Sequence, residues 1–125
     1  KHLLIAAQNG NSSVINCLLN NDVEVNKKHN SGWTALFHAT TYGQCDAMEL
    51  LIARGAKVDD TDDSGWTVLM HAAINGKCDA IELLIARGAK VDEQNDEGWT
   101  ALELAIAYNQ RRAAQLLKTS MANRA

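Results

Sequence analysis

Proline is absent from this chain of 125 residues, aromatic side chains make up only 5%, and no apolar run approaches a membrane span. Without proline there is no polyproline linker or recognition motif. Without about 18 consecutive apolar residues there is no transmembrane helix to expect. Nor does the N-terminus run from a basic segment into an apolar core and a cleavage site. Three cysteines, none in a Cys-x-x-Cys pair, suit neither a disulfide framework nor a zinc site. A net charge of −3 lacks the basic footprint that nucleic acid or an anionic membrane requires. Reactive constellations are missing too: no His-Glu-x-x-His, no phosphate-cradling glycine loop, no Ser/His/Asp or Cys/His set. The expectation is one soluble domain of residues 1–125, monomeric and non-catalytic, with no cofactor or metal. A reducing compartment, cytoplasmic or nuclear, goes with it.

What is present is a period. Ser31-Gly32-Trp33-Thr34 returns as Ser64-Gly65-Trp66-Thr67 and again as Glu97-Gly98-Trp99-Thr100, at a step of 33 residues each time. Gly55-Ala56-Lys57-Val58-Asp59 returns at Gly88-Ala89-Lys90-Val91-Asp92, and Cys45-Asp46-Ala47 at Cys78-Asp79-Ala80. A fixed period of this size marks a solenoid, in which one supersecondary unit is stacked on copies of itself.

In chain order, residues 1–26 read as a partial copy, residues 27–59 and 60–92 as two full copies, and residues 93–125 as a C-terminal cap. The chain starts in mid-repeat, which points to a longer parent protein. In the partial copy, Ser12 or Ser13 is expected to cap a helix carrying Val14, Ile15, Leu18 and Leu19 at helical spacing. Each full copy opens on a polar turn of Asn, Asp, Ser and Gly. Thr34 and Thr67 are expected to cap a first short helix, and Gly43 and Gly76 to end it in the left-handed conformation. Asp46-x-x-Glu49 and Asp79-x-x-Glu82 resemble a capping box for a second helix, closed by Arg54-Gly55 and Arg87-Gly88. In the last copy Asn109 stands in for the inter-helix glycine. Lys118 replaces Ile52 and Ile85, as suits an outer face that meets water.

These residues resemble the ankyrin repeat family over essentially the whole chain. The matches in one copy are Gly32, Thr34, Leu36, Ala39, Gly43, Leu50, Leu51, Gly55, Ala56 and Val58, and they recur one period later. The family's proline is replaced by Ala35, Val68 and Ala101, and its histidine by Phe37, Met70 and Glu103. Those replacements weaken a helix-start device and a Thr–His network. The resemblance implies an all-α solenoid of four stacked helix-turn-helix repeats with β-turn fingers. It also implies a non-catalytic module that binds a protein partner through fingers and first helices lining a concave groove. A second implied reading is a regulatory or structural segment of a larger enzyme or effector, packed on a neighbouring domain.

Carried over position by position, the partner-binding candidates are Trp33, Trp66, Trp99, Tyr42, Tyr108, Asp63, Asp96, Ser64, Glu97 and Asn75. The three tryptophans would form a ladder at the base of successive fingers. Tryptophan and tyrosine bury much area at low entropic cost and concentrate binding energy; alternatively, each indole staples its finger to the next. Asp59, Asp60, Asp62 and Asp63, and likewise Asp92, Glu93, Asp96 and Glu97, have no cation beside them in sequence, which points to a partner with a basic surface. Their alternative is a solvated surface. Asp60-x-Asp62-x-Ser64-Gly65 imitates the start of a calcium loop, but its twelfth position is His71 where a bidentate Glu is required. His38 and His71 read as hydrogen-bonded core residues, and Cys17, Cys45 and Cys78 as small packing residues. The resemblance further implies that Asn26, at the end of Leu18 through Glu24-Val25-Asn26, is a hydroxylation site for an intracellular dioxygenase. The competing role for Asn26 is to hydrogen-bond its loop.

Overall fold

Each 33-residue step folds as a pair of helices, and the pairs stack. The structure is a computed structural model that describes residues 2–122; Lys1 and residues 123–125, the extremes of the expected span, lie outside the described residues. The pairs are α1 (His2–Asn9) with α2 (Ser12–Asn20), α3 (Ala35–Thr41) with α4 (Cys45–Ala53), α5 (Val68–Ile74) with α6 (Cys78–Ala86), and α7 (Ala101–Ala107) with α8 (Arg111–Ala122). First helices pack in the order α1, α3, α5, α7, and second helices in the order α2, α4, α6, α8, giving two layers. Among the described residues the remaining regular structure is a 3-10 turn at Asn30–Gly32 and one isolated bridge between Thr61 and Thr67. The fold is all-α.

One continuous core runs through the stack. First helices contribute small and branched residues, such as Leu36 and Ala39, Leu69 and Ala72, Leu104 and Ala105. Second helices contribute Ile15 and Leu19, Met48 and Leu51, Ile81 and Leu84, Ala114 and Leu117. No pair could shield these residues alone, so burial is shared between neighbours. The turn between helices takes the left-handed conformation at Gly10, Gly43, Gly76 and Asn109, with φ of 69°, 68°, 63° and 58°. At the far end Lys118 is exposed where Ile52 and Ile85 are half-buried, the expected change at a terminal copy.

Several caps differ from the sequence expectation. Asn11 caps α2, its side chain accepting from the Val14 amide at 3.3 Å, so the helix begins at the two serines instead of after them. Thr34 is buried but its hydroxyl makes no capping bond, whereas Thr67 accepts from Met70 N at 3.2 Å and Thr100 from Glu103 N at 3.2 Å. Glu103 also accepts from Thr100 N at 2.9 Å, so the residue replacing the family histidine rebuilds a capping box there. The capping boxes expected at Asp46 and Asp79 do not form. α4 and α6 begin two residues earlier, capped at Gln44 and Lys77, which leaves the two acids inside the first turn, where their charge complements the helix dipole. Gln44 reaches back one repeat instead, donating to Gln8 O at 3.0 Å, and Gln110 does the same to Ile74 O at 2.9 Å.

Candidate functional site

The fingers are built by one turn written three times with different chemistry. In each, the amide of the first turn residue donates to the tryptophan carbonyl four residues on, at 2.9 Å: His29 to Trp33, Asp62 to Trp66, Asn95 to Trp99. The glycine three residues on, Gly32, Gly65 or Gly98, donates back to that first residue and has positive φ. Asp62 Oδ1 accepts from the Ser64 and Trp66 amides, both at 3.0 Å, and Asn95 Oδ1 accepts from Glu97 and Trp99 at 2.9 and 3.0 Å. These are Asx turns, in which a short side chain mimics the backbone. His29 offers no such acceptor, and the first finger turns tighter, with Ser31 at φ 65°.

Consecutive fingers are hydrogen-bonded to one another. The Asp63 amide donates to Ser31 O at 2.9 Å, and the Asp96 amide to Ser64 O at 3.2 Å. At this crossing a Cβ on Gly32 would stand 2.9 Å from the Asp63 amide nitrogen, so only glycine allows the approach. Below the fingers, Asn26 uses both ends of its amide, donating to Gly55 O at 2.9 Å and accepting from Lys57 N at 3.0 Å. Asp59 accepts from Lys90 N at 3.0 Å one repeat later.

Asp62 is the hub between the first two fingers. Its Oδ2 accepts from Trp33 Nε1 at 3.2 Å and lies 2.9 Å from His71 Nε2. Trp33 stacks on Phe37 at 5.8 Å between ring centroids and meets the edges of His38 and His71 at 5.0 and 4.9 Å. Trp66 lies tilted on His71 at 4.9 Å. Burial lowers the His71 pKa, and the neighbouring Asp62 charge only partly opposes it. For Asp62, burial pushes the pKa up, but the bonds from His71 and from the Trp66 and Ser64 amides together bring it below the usual carboxylate range. A neutral imidazole therefore faces a carboxylate near neutral pH, and Nε2 carries the donated proton.

The acids thus include members that the sequence pattern had left without cations. Asp60 pairs with Lys28 at 3.2 Å, and Lys28 also donates to Thr61 O at 2.7 Å; Asp62 is held by His71. Lys28 lies one repeat away from Asp60 and His71 lies on the helix that follows the Asp62 turn, so neither pairing was legible from adjacent residues. Asp63, Asp96, Glu97 and Ser64 are exposed on the finger tips. The tryptophans differ among themselves: Trp33 and Trp66 are half-buried, whereas Trp99 is 40% exposed. Tyr42, Asn75 and Tyr108 are exposed at the C-caps of α3, α5 and α7. They lie a helix length of about 10 Å from the finger ends. Sequence reasoning named Asp62 among the acids but missed its role as a hub; the signal was an Asp followed by Ser and Gly at turn spacing, the Asx-turn signature.

Residues 1–62 and 55–123 each match the family model for ankyrin repeats in sets of three copies. The chain belongs to the ankyrin repeat family. A search of curated proteins found no match. Ankyrin repeats generally mediate protein–protein interactions and are typically non-catalytic, and they are what the comparison finds across this chain. No helix among the described residues is long and apolar enough to cross a membrane. In these ankyrin repeats consecutive fingers are bonded to one another, and the first helices pack in one layer. Cys17, Cys45 and Cys78 are free thiols on the second helices, and Cys45 and Cys78 line one cavity together with Tyr42.

Proposed function

We propose that this ankyrin chain is one non-catalytic binding domain that holds a protein partner with a basic surface against its fingers and first helices. Its units are a partial repeat near residues 1–26, full repeats near 27–59 and 60–92, and a cap from 93. The observation that carries the reading is the finger-to-finger bonding. It presents Asp63, Ser64, Asp96, Glu97 and Trp99 as a pre-ordered row, so little freedom is lost when a partner docks. Trp66 stands at the centre, with Tyr42, Asn75 and Tyr108 marking the far edge of the same face. Trp33 is committed to Phe37, His71 and Asp62, which favours stapling over contact for that indole. Asn26 spends its whole amide across the repeat boundary, which supports a structural role over modification. The free thiols agree with a reducing compartment.

The test starts from affinity capture with the intact domain as bait. Binding of the identified partner is then measured for an Asp63→Lys/Asp96→Lys variant and for Trp99→Ala. We expect at least tenfold weaker binding by the charge variant, and association that slows as salt rises. Undiminished affinity in both variants moves the site to the second helices. The alternative reading, a segment packed on a neighbouring domain, is favoured by Ile5, Val14 and Val23, which are 52%, 40% and 38% exposed at one end of the stack. A partner that protects those three residues from solvent exchange, and not the fingers, would promote it.

A further inference from the structure

A cavity of about 570 Å³ runs over three successive inter-helix turns, its lining including Tyr42, Lys77, Asp79, Asn109, Arg111 and Arg112. Lys77 holds the middle of a series. Gln44 and Gln110, one period to either side of it, donate to the carbonyls of Gln8 and Ile74 in the preceding copy. Lys77 leans over Gly43 in the same way, its Nζ 3.8 Å from where a Cβ on that glycine would stand. Yet among the described residues its ammonium donates to no carbonyl and pairs with no acid. The two arginines break a second pattern. α4 and α6 open on Cys45-Asp46 and Cys78-Asp79, whereas α8 opens on Arg111-Arg112 and has no acid in its first turn. Cations there face the positive end of the helix dipole. Among the described residues neither arginine has an ion pair, and Asp79 is the one acid that lines the cavity. We propose that this cavity seats an extended acidic segment of a partner protein, one of its carboxylates on Lys77 and a second on Arg111 and Arg112.

The chemistry of the lining selects the occupant. Three cations against one carboxylate give it a net positive charge, although the chain as a whole carries −3. A carboxylate entering it meets unpaired donors and turns the repulsion at the head of α8 into attraction. The first turn of α6 has no side-chain cap, which leaves its amides as further donors. Spacing sets the pattern of the segment. Lys77 and the arginines open consecutive second helices, and packed helices lie about 8–10 Å apart. An extended chain advances about 3.3 Å per residue, so acids three positions apart span one step. Tyr42, 52% exposed, adds an apolar contact for the same segment. A cavity that crosses three turns suits a length of chain better than a single small anion. It contains none of the finger acids, so the proposal stands or falls separately from the finger-row reading. A partner that reached both places would carry base over the fingers and acid over these turns.

The experiment is a titration of the isotope-labelled domain with a capped hexapeptide, Gly-Glu-Gly-Gly-Glu-Gly, followed by amide NMR shifts. The expected result is saturable shifts at Gly76–Ala80 and Asn109–Ala113, with a Kd in the roughly millimolar range suited to two exposed ion pairs. The same peptide with glutamine for glutamate should bind about tenfold more weakly, and Lys77→Gln should weaken the glutamate peptide about threefold. Arg111→Cys/Arg112→Asp, which copies the opening of α6, should bind it about tenfold more weakly while raising the urea midpoint of the free domain. Lost binding together with gained stability is a result that a merely structural role for the arginines would not give. Equal shifts with the glutamine peptide overturn the proposal, as do undiminished binding by the arginine variant or shifts centred on the fingers. Tighter binding of inorganic phosphate than of the peptide also overturns it, by making the cavity a small-anion site. The Asp63→Lys/Asp96→Lys variant should bind the peptide as the parent does, which separates this test from that of the fingers.

Discussion

Replacing Asp62 by asparagine isolates the side-chain bonds that join the first two fingers. The substitution keeps Oδ1, so the Ser64 and Trp66 amides retain their acceptor, as Asn95 does for its own turn. It removes Oδ2 and puts an NH2 group against Trp33 Nε1, a donor that accepts nothing, while the imidazole of His71 can change tautomer and accept. The Asp62 and His71 side chains are only 8% and 12% exposed, so water compensates little. A bond to a charged acceptor is worth about 1.5–3 kcal/mol, and the orphaned indole N–H sets the loss at about 2 kcal/mol. Asp62→Ala, which also strips the two turn amides of their acceptor, should cost about 3–4 kcal/mol. The assay is urea unfolding, with the midpoint falling and the slope unchanged. A cycle with Trp33→Phe apportions the effect: in that background Asp62→Asn should lose most of its cost, a coupling of about 1–2 kcal/mol. An Asp62→Asn variant within about 0.5 kcal/mol of the parent, or zero coupling, refutes the hub.

The third finger offers the converse experiment, because Asn95 Nδ2 is buried without a partner and Leu104 stands where His71 stood. Asn95→Asp with Leu104→His should copy the hub there and raise stability by about 1–2 kcal/mol, read as a higher urea midpoint; a lower midpoint refutes the copy. Acid should weaken the domain through His71. Its folded pKa is lowered by burial, so its contribution is complete above the ordinary value near 6.5 and is lost as pH falls through the folded value, where the unfolded chain binds the extra proton. Urea midpoints at pH 7.5 and pH 5 test this, and a His71→Leu variant should flatten the difference. Finally, Gly65→Ala should cost more than Gly98→Ala: both have positive φ, but a Cβ on Gly65 meets Asp96 whereas nothing lies within 4 Å of Gly98. Costs of about 2–3 and about 1 kcal/mol are expected, and equal losses would mean that the close approach relaxes freely.

The architecture was legible because a 33-residue step and helical apolar spacing are properties of the chain read in one direction. Gly43, Gly76 and Asn109 took the conformations their residue types foretell, and Lys118 lies exposed as an outer face requires. What could not be read were bonds that cross a repeat. Gln44 reaches Gln8, and Lys28 holds Asp60, each across a repeat boundary. The capping boxes at Asp46 and Asp79 failed by two residues of register, the level at which local propensity is weakest. At the candidate site the tryptophan spacing was visible, but not that Trp33 and Trp99 differ in exposure. That difference arises because Trp33 has a following finger to lean on, while no finger follows Trp99 among the described residues.

The Asp62–His71–Trp33 cluster also guards against slippage. Residues 27–59 and 60–92 are so alike that, during folding, either helix pair could dock where the other belongs, a hazard of tandem copies. The few side chains that break the pattern, with His29, Asp62 and Asn95 at one position and His38, His71 and Leu104 at another, make each junction distinguishable from the next. A pair that landed on the wrong neighbour would lose the charged acceptor that Asp62 gives Trp33 and His71, and the mistaken stack would come apart before the correct one.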